Sequence, residues 1–393
     1  MSDQLEAVRE DSVKASAKPL IVDADAHVNP SHDMWADYLP EALRPLAPQL
    51  EHGEDCDYIV FEGKRRKLNL ISALGGRKGE DFKMHGRASD ARQGGWMPKA
   101  RLNDMDEDGM DKAILFGGGP LGTTNSELYM ASFGAYNRWL ADFCSAAPDR
   151  LAGIGYVPMQ NVDEAIRMMR ECVKLGLKGI NIPAFPMSPV ASLNGGDAQT
   201  MALTGDVNSE RSYADAEFDP FWKTACELGV PITIHLGGRA VRFTNKKFFL
   251  SDLLMSKFGM GEPIAIMIYG GVFQRFPDLK LVSVESGVGW FAFAANYMDE
   301  TWHKQRHWTD SVLEHAPSYF MERNIYGSFI HDRAGILMRD FPGAGNIMWS
   351  SDYPHSETTY PHSLDKIDEL FEGVSEADRN MIIGGRANKL FKL

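Results

Sequence analysis

The chain has 393 residues, 44% of them hydrophobic and 24% charged, with a formal net charge of −13. This composition can bury a large core, which excludes a disordered chain. The acidic balance argues against a nucleic-acid partner, because phosphate binding needs a basic face. Cys56, Cys144, Cys172 and Cys226 lie far apart with no C-x-x-C pair, so no disulfide framework or zinc knuckle is expected, and a reducing cytoplasm fits.

The first stretch, MSDQLEAVREDSVKASAK, is polar and has no apolar h-region, and it reads as an N-terminal arm over residues 1–18. No uninterrupted apolar run of about 18 residues follows, so no membrane span is expected. From residue 19 onward, short β-type runs recur: PLIVDADAH (19–27), DKAILFGGG (111–119), GIGYVPMQ (153–160), LKGINIPA (177–184), VPITIHLGG (230–238), DLKLVSVESG (278–287), RNIYGSFI (323–330) and GNIMWSSDYPH (345–355). Segments with helical spacing separate most of them, such as 163–175 with Ala165, Ile166, Met169, Cys172 and Val173. Eight strands alternating with helices predict an α/β fold, a (β/α)8 TIM barrel forming one domain over residues 19–393. An open doubly wound sheet would want a glycine-rich turn after the first strand, where this chain has Asp23-Ala24-Asp25-Ala26-His27.

Two intervals are too long for simple loops, 28–100 after the first strand and 185–216 after the fourth. The first contains DYIVFEGKRRKLN, in which 58–61 and 66–70 are expected to pair as a hairpin across Glu62-Gly63-Lys64. Both insertions leave C-terminal strand ends, so both are expected over the barrel mouth, where Trp96 would line a substrate cavity.

The chemistry-bearing side chains also fall at strand ends. Asp25 and His27 are two apart on a strand and so share a side, His235 ends the fifth strand, and Asp352 ends the eighth, which a closed barrel sets beside the first. Two imidazoles and two carboxylates suit one divalent ion, Zn²⁺ or Mn²⁺. Arg239 and Arg242 follow His235 at the same mouth and suit a carboxylate substrate; His355, three residues past Asp352, is a further candidate for substrate contact. His331-Asp332-Arg333 reads as a helix start, and His303, His307, Trp302 and Trp308 read as an interface.

The segments VDADAHVNP, RLNDMDEDGMDKAILF, ITIHLGG, KLVSVESGVGWF, MWSSDYPHSE and IIGGRANKLFKL resemble, in order, the signatures of the amidohydrolase-related family, in the branch of aminocarboxymuconate-semialdehyde decarboxylase. The resemblance covers about residue 20 to the end. It implies that Asp25, His27 and His235 are metal ligands, that Asp352 is a ligand which also handles a proton, and that the chain forms a homodimer acting on a small molecule. Two departures stand out. Asp25 replaces the His of many hydrolytic members and the Glu of several decarboxylases. At the end of the sixth strand Glu285-Ser286-Gly287 takes the place of a His that often serves as base or ligand, so Glu285 is the candidate base. The strand-one carboxylate leans the reading toward nonoxidative decarboxylation of a small, possibly aromatic, acid. The alternatives are a metal-dependent hydrolase of a C–C, amide or ester bond and a barrel that only binds.

Overall fold

The computed structural model of the protein describes residues 18–31, 33–187, 204–235 and 247–393. All eight runs form strands: β1 (Val22–Val28) and, beyond a small three-stranded sheet of β2 (Gln49–Glu51), β3 (Tyr58–Phe61) and β4 (Lys64–Lys67), the strands β5 (Lys112–Gly117), β6 (Leu151–Tyr156), β7 (Gly179–Ile182), β8 (Ile232–His235), β9 (Leu281–Val284), β10 (Ile325–Phe329) and β11 (Ile347–Trp349). Strands β1 and β5 to β11 pair in parallel in chain order. The two edges meet just past β11, where the Asp352 N–H donates to the Asp25 carbonyl at 3.0 Å and the His27 N–H to the Tyr353 carbonyl at 2.5 Å. With helices on the connections, this is a (β/α)8 barrel.

The helices follow from local sequence. In Val162–Lys174, the Asn161 side chain accepts from the Glu164 N–H at 3.0 Å, Asp163 and Glu164 occupy the first turn, and Lys174 the last. Ala165, Met168, Met169 and Cys172 supply the buried stripe against the sheet.

Strand residues divide between two cores with a period of two. Ile114, Phe116, Ala152, Ile154, Val282, Val284 and Met348 belong to a compact cluster that fills the barrel, together with Val22 and Ala24. Their neighbours Ala113, Leu115, Leu151, Leu281, Ile347 and Trp349 join the larger core under the helices. In β1 the alternation reverses. Asp23 pairs with Ala113, but Ala26 pairs with Leu115 and His27 with Phe116, a register shift that places one extra residue in β1. Val22 and Ala24 therefore face inward before this bulge, and Asp25 and His27 face inward after it.

The hairpin forms with its second strand two residues earlier than expected, at Lys64–Lys67. Glu62 and Gly63 both have positive φ, 48° and 70°, and make a two-residue turn without Lys64. The Glu62 carboxylate at the tip accepts from Thr123 Oγ1 at 2.6 Å and from the Thr124 N–H at 3.0 Å, in the loop after β5. Elsewhere the segment is tied to the loop after β11, with the Gly75 N–H donating to the Pro354 carbonyl at 2.8 Å and the Ser356 N–H to the Ile71 carbonyl at 3.0 Å. No helix among the described residues is long and apolar enough to cross a membrane.

Candidate active site

Five side chains from β1, β8 and the ends of β9 and β11 converge inside the barrel: Asp25, His27, His235, Glu285 and Asp352, all buried. His27 Nε2 lies 3.2 Å from Asp25 Oδ1 and 3.1 Å from Asp352 Oδ1. His235 Nε2 lies 3.8 Å from Asp25 Oδ1 and 2.9 Å from Glu285 Oε2. Phe116 walls one side, its ring 4.8 Å from that of His235, edge on.

Two turns aim the carboxylates. Val284 faces the barrel interior, so simple alternation would send Glu285 outward; a backbone φ of 55° ends the strand there and redirects the side chain. The Glu285 N–H donates to Ser328 Oγ at 2.9 Å, and the following loop is clamped by Asp332, whose carboxylate accepts from the N–H groups of Val288 and Gly289, both at 2.6 Å. Asp332 also accepts from the Gly335 N–H at 2.8 Å, which makes it the N-cap of the helix Arg333–Leu337, while His331 is exposed. Asp352 has the same kind of turn, with φ of 59°.

Both oxygens of Asp25, both of Asp352 and Nε2 of His27 are buried without a well-directed hydrogen bond, and the near contacts of Asp25 Oδ1, Asp352 Oδ1 and His27 Nε2 are ion-pair approaches of 2.9 to 3.2 Å within the cluster. Left so, the cluster would carry a desolvation penalty that these contacts offset only in part. A divalent cation would resolve it, since contacts near 3 Å are those of adjacent ligands about 2.1 Å from one ion. Ligand atoms of Asp25, His27, His235 and Glu285 all lie within 4.8 Å of one another, as do those of His27, Glu285, Asp352 and His355. The residues fit a metal, and Glu285 belongs to both groupings, closer to the centre than the sequence placed it.

The electrostatics of the side chains by themselves agree. Burial pushes the Asp25 carboxyl up to about 7, against the pull of His235. Burial also opposes ionisation of Asp352 and Glu285, but His355 and His27 together outweigh it for Asp352, and Lys257, His235 and His355 for Glu285, so both lie below the usual range. Burial lowers His27, with His355 adding to the effect. For His355, burial is overcome by Asp352 and Glu285, which raise the imidazole to about 9.

His355 belongs to the cluster: its Nδ1 is 2.9 Å from Asp352 Oδ1, and its ring stacks on His27 with centroids 3.7 Å apart. Trp96 is half-buried and packs against the core under the helices. Arg239 and Arg242 lie outside the described residues. Three contributors escaped the sequence reading. Lys257 reaches Glu285 Oε1 at 2.8 Å. Arg101, fully buried, donates to the carbonyls of His27 and, at 2.9 Å, Gly94, and lies over the Tyr353 ring. Asp23, on the outer side of β1, accepts from the Ser351 N–H at 2.8 Å. Asp23 and Arg101 lie inside the segments VDADAHVNP and RLNDMDEDGMDKAILF, but their partners are far away in sequence, and Lys257 lies in none of the six family-like segments.

The sequence profile of the amidohydrolase family matches residues 22–393. The chain is 24% identical over 302 residues to 2-amino-3-carboxymuconate-6-semialdehyde decarboxylase of Dictyostelium discoideum, covering 74% of this chain and 76% of that one. It is 26% identical over 313 residues to gamma-resorcylate decarboxylase of a Polaromonas species, covering 75% of this chain and 86% of that one. The crystal structure of a dihydroxybenzoic acid decarboxylase from Polaromonas, with bound manganese and the inhibitor 2-nitroresorcinol, superposes with a TM-score of 0.63 at 20% identity, over 95% of this chain and 97% of that one. A barrel closed by β1 and β11, ligand-type side chains at its C-terminal strand ends, and a profile match along nearly the whole length lead to one conclusion: the chain belongs to the amidohydrolase family.

Proposed function

We propose that this chain is a metal-dependent decarboxylase that removes CO₂ without oxidation from a small carboxylic acid of aromatic or muconate type. The observation that carries the reading is the buried group of Asp25, His27, His235, Glu285 and Asp352, whose ligand-type atoms crowd together with no well-directed hydrogen bond on Asp25, Asp352 or Nε2 of His27. Relatives named as decarboxylases of such acids support the choice of reaction. Asp25, His27, His235 and Asp352 would hold one Mn²⁺ or Zn²⁺, which when bound supplies positive charge to steady an anionic transition state. Asp352, held as a carboxylate, is set to take a proton from the incoming acid and deliver it to the carbon that bears the leaving carboxylate. As CO₂ departs, the electron pair of the broken C–C bond returns to that carbon. Glu285, fixed beside His235, is the second proton acceptor, and His355, carrying positive charge, faces the same space as an anion contact.

The test is a panel of hydroxybenzoates, ring-fission acids and small amides assayed with metal-loaded protein, with CO₂ release measured against acid release. CO₂ from at least one acid is expected. Acid released from an amide or ester, with no CO₂ from any acid, would favour the hydrolase instead.

Three further features belong to this reading. The 28–100 insertion serves as a cover for the mouth, supported by its bonds to the loops after β5 and β11, with Trp96 and the Arg239/Arg242 pair as substrate contacts. Four free cysteines agree with a cytoplasmic setting. The working unit is a homodimer. On the helix Phe249–Phe258, Leu250, Leu254 and Phe258 repeat every four residues and are more than half exposed; on Trp290–Gln305, Phe293 and Tyr297 are exposed and stacked 5.8 Å apart. Gly261, three residues past the first helix, lies close to the Trp290 ring at the start of the second, and exposed apolar side chains of this kind are what a second copy covers. Light scattering at micromolar concentration should give twice the chain mass, and a monomer would remove this assignment.

A further inference from the structure

Glu285 is held at both oxygens. Oε2 faces His235 Nε2 at 2.9 Å, and Oε1 accepts from Lys257 Nζ at 2.8 Å. Lys257 comes from the helix Phe249–Phe258 and is mostly shielded, its side chain 22% exposed, with Glu357 Oε2 3.7 Å away as a second and looser partner. The carboxylate so gripped is the one whose direction the strand does not set, because it sits at a left-handed turn past the end of β9. Without a partner on Oε1, rotation about its side-chain bonds would be free to carry Oε2 off His235. Lys257 also answers a charge problem: Asp25, Glu285 and Asp352 bring three carboxylates into one buried space, which a divalent ion and the His355 imidazolium balance, and an acid substrate adds a fourth negative charge that the Lys257 ammonium offsets.

We infer that Lys257 is a positioning residue, which fixes the orientation of Glu285 for turnover and acts through that carboxylate and not on substrate directly. The inference rests on the reading that Glu285 works in the reaction. It requires that Lys257 and Glu285 behave as one unit, so that the loss of either costs what the loss of both costs.

The experiment is a double-mutant cycle of Lys257→Met and Glu285→Gln in the metal-loaded protein, using the acid that releases CO₂ in the panel above. Each single variant is expected to lose about 10²-fold in kcat with KM changed less than about twofold, and the double variant is expected to be no slower than Glu285→Gln. Lys257→Arg should recover most of the rate, which a loss of packing alone would not predict. Independent losses that multiply in the double variant would overturn the inference, as would a raised KM with kcat unchanged, which would put Lys257 on the substrate. Normal turnover by Glu285→Gln alone would overturn the role of Glu285 and, with it, this extension. Crystal structures of the metal-loaded wild type and Lys257→Met need no substrate: displacement of Glu285 Oε2 from His235 is expected, and an unmoved glutamate would overturn the inference. Lys257→Gln serves both arms if the Met variant does not fold.

Discussion

Asp352→Asn is expected to lose on the order of 10³-fold or more in kcat while the protein keeps its fold and part of its metal. The substitution is close to isosteric, and its backbone position suits it: φ at 352 is 59°, a region that Asn and Asp enter more readily than other side-chain-bearing residues. The Asp352 N–H that closes the barrel on the Asp25 carbonyl is untouched. What changes is that the amide cannot take up a proton and offers one oxygen where the carboxylate offered two. Circular dichroism and thermal melting should match the wild type, and a steady-state assay reads the loss. Turnover within tenfold of wild type would move the proton-handling role to Glu285.

His235→Ala is expected to strip the metal and, with it, all turnover above background. His235 Nε2 sits between Asp25 Oδ1 at 3.8 Å and Glu285 Oε2 at 2.9 Å, so the substitution removes a ligand and leaves Glu285 without its partner on that side. Affinity should fall by more than the roughly 10- to 100-fold that follows the loss of an outer-shell partner. Elemental analysis of protein purified without chelator measures the occupancy, and a full equivalent of metal in this variant would take His235 out of the ligand set. Acid should mimic the effect in part. The Asp25 carboxyl is raised to about 7, so below that pH the metal-free site holds a proton that the ion must displace, and apparent affinity drops as pH falls through 7.

The periodic apolar runs made the eight strands legible, and the side-chain types at their ends made the centre legible. Asp25, His27, His235, Glu285 and Asp352 were each singled out, and the structure brings all five together. Boundaries were less well read: β6 ends at Tyr156, before the polar end of its run, and the hairpin turns at Glu62-Gly63. His355 was set among substrate contacts, and its stacking on His27 and contact with Asp352 were not read from the sequence, since a position in a loop does not reveal them.

By itself, then, the sequence determined the barrel and the identity of its ligand-type residues, because hydrophobic period and the chemistry of strand ends are local properties. Which way those residues face was decided only in the tertiary structure. The extra residue in β1 turns Asp25 and His27 into the barrel while Asp23 stays outside, and it exists only in register with β5. The left-handed turn at Glu285 reverses what alternation along β9 would give. Lys257 joins Glu285 across a gap that only the folded connection between β8 and β9 closes. Pairing register and long-range charge partnership are properties of neighbours in space, and a linear pattern carries no record of them.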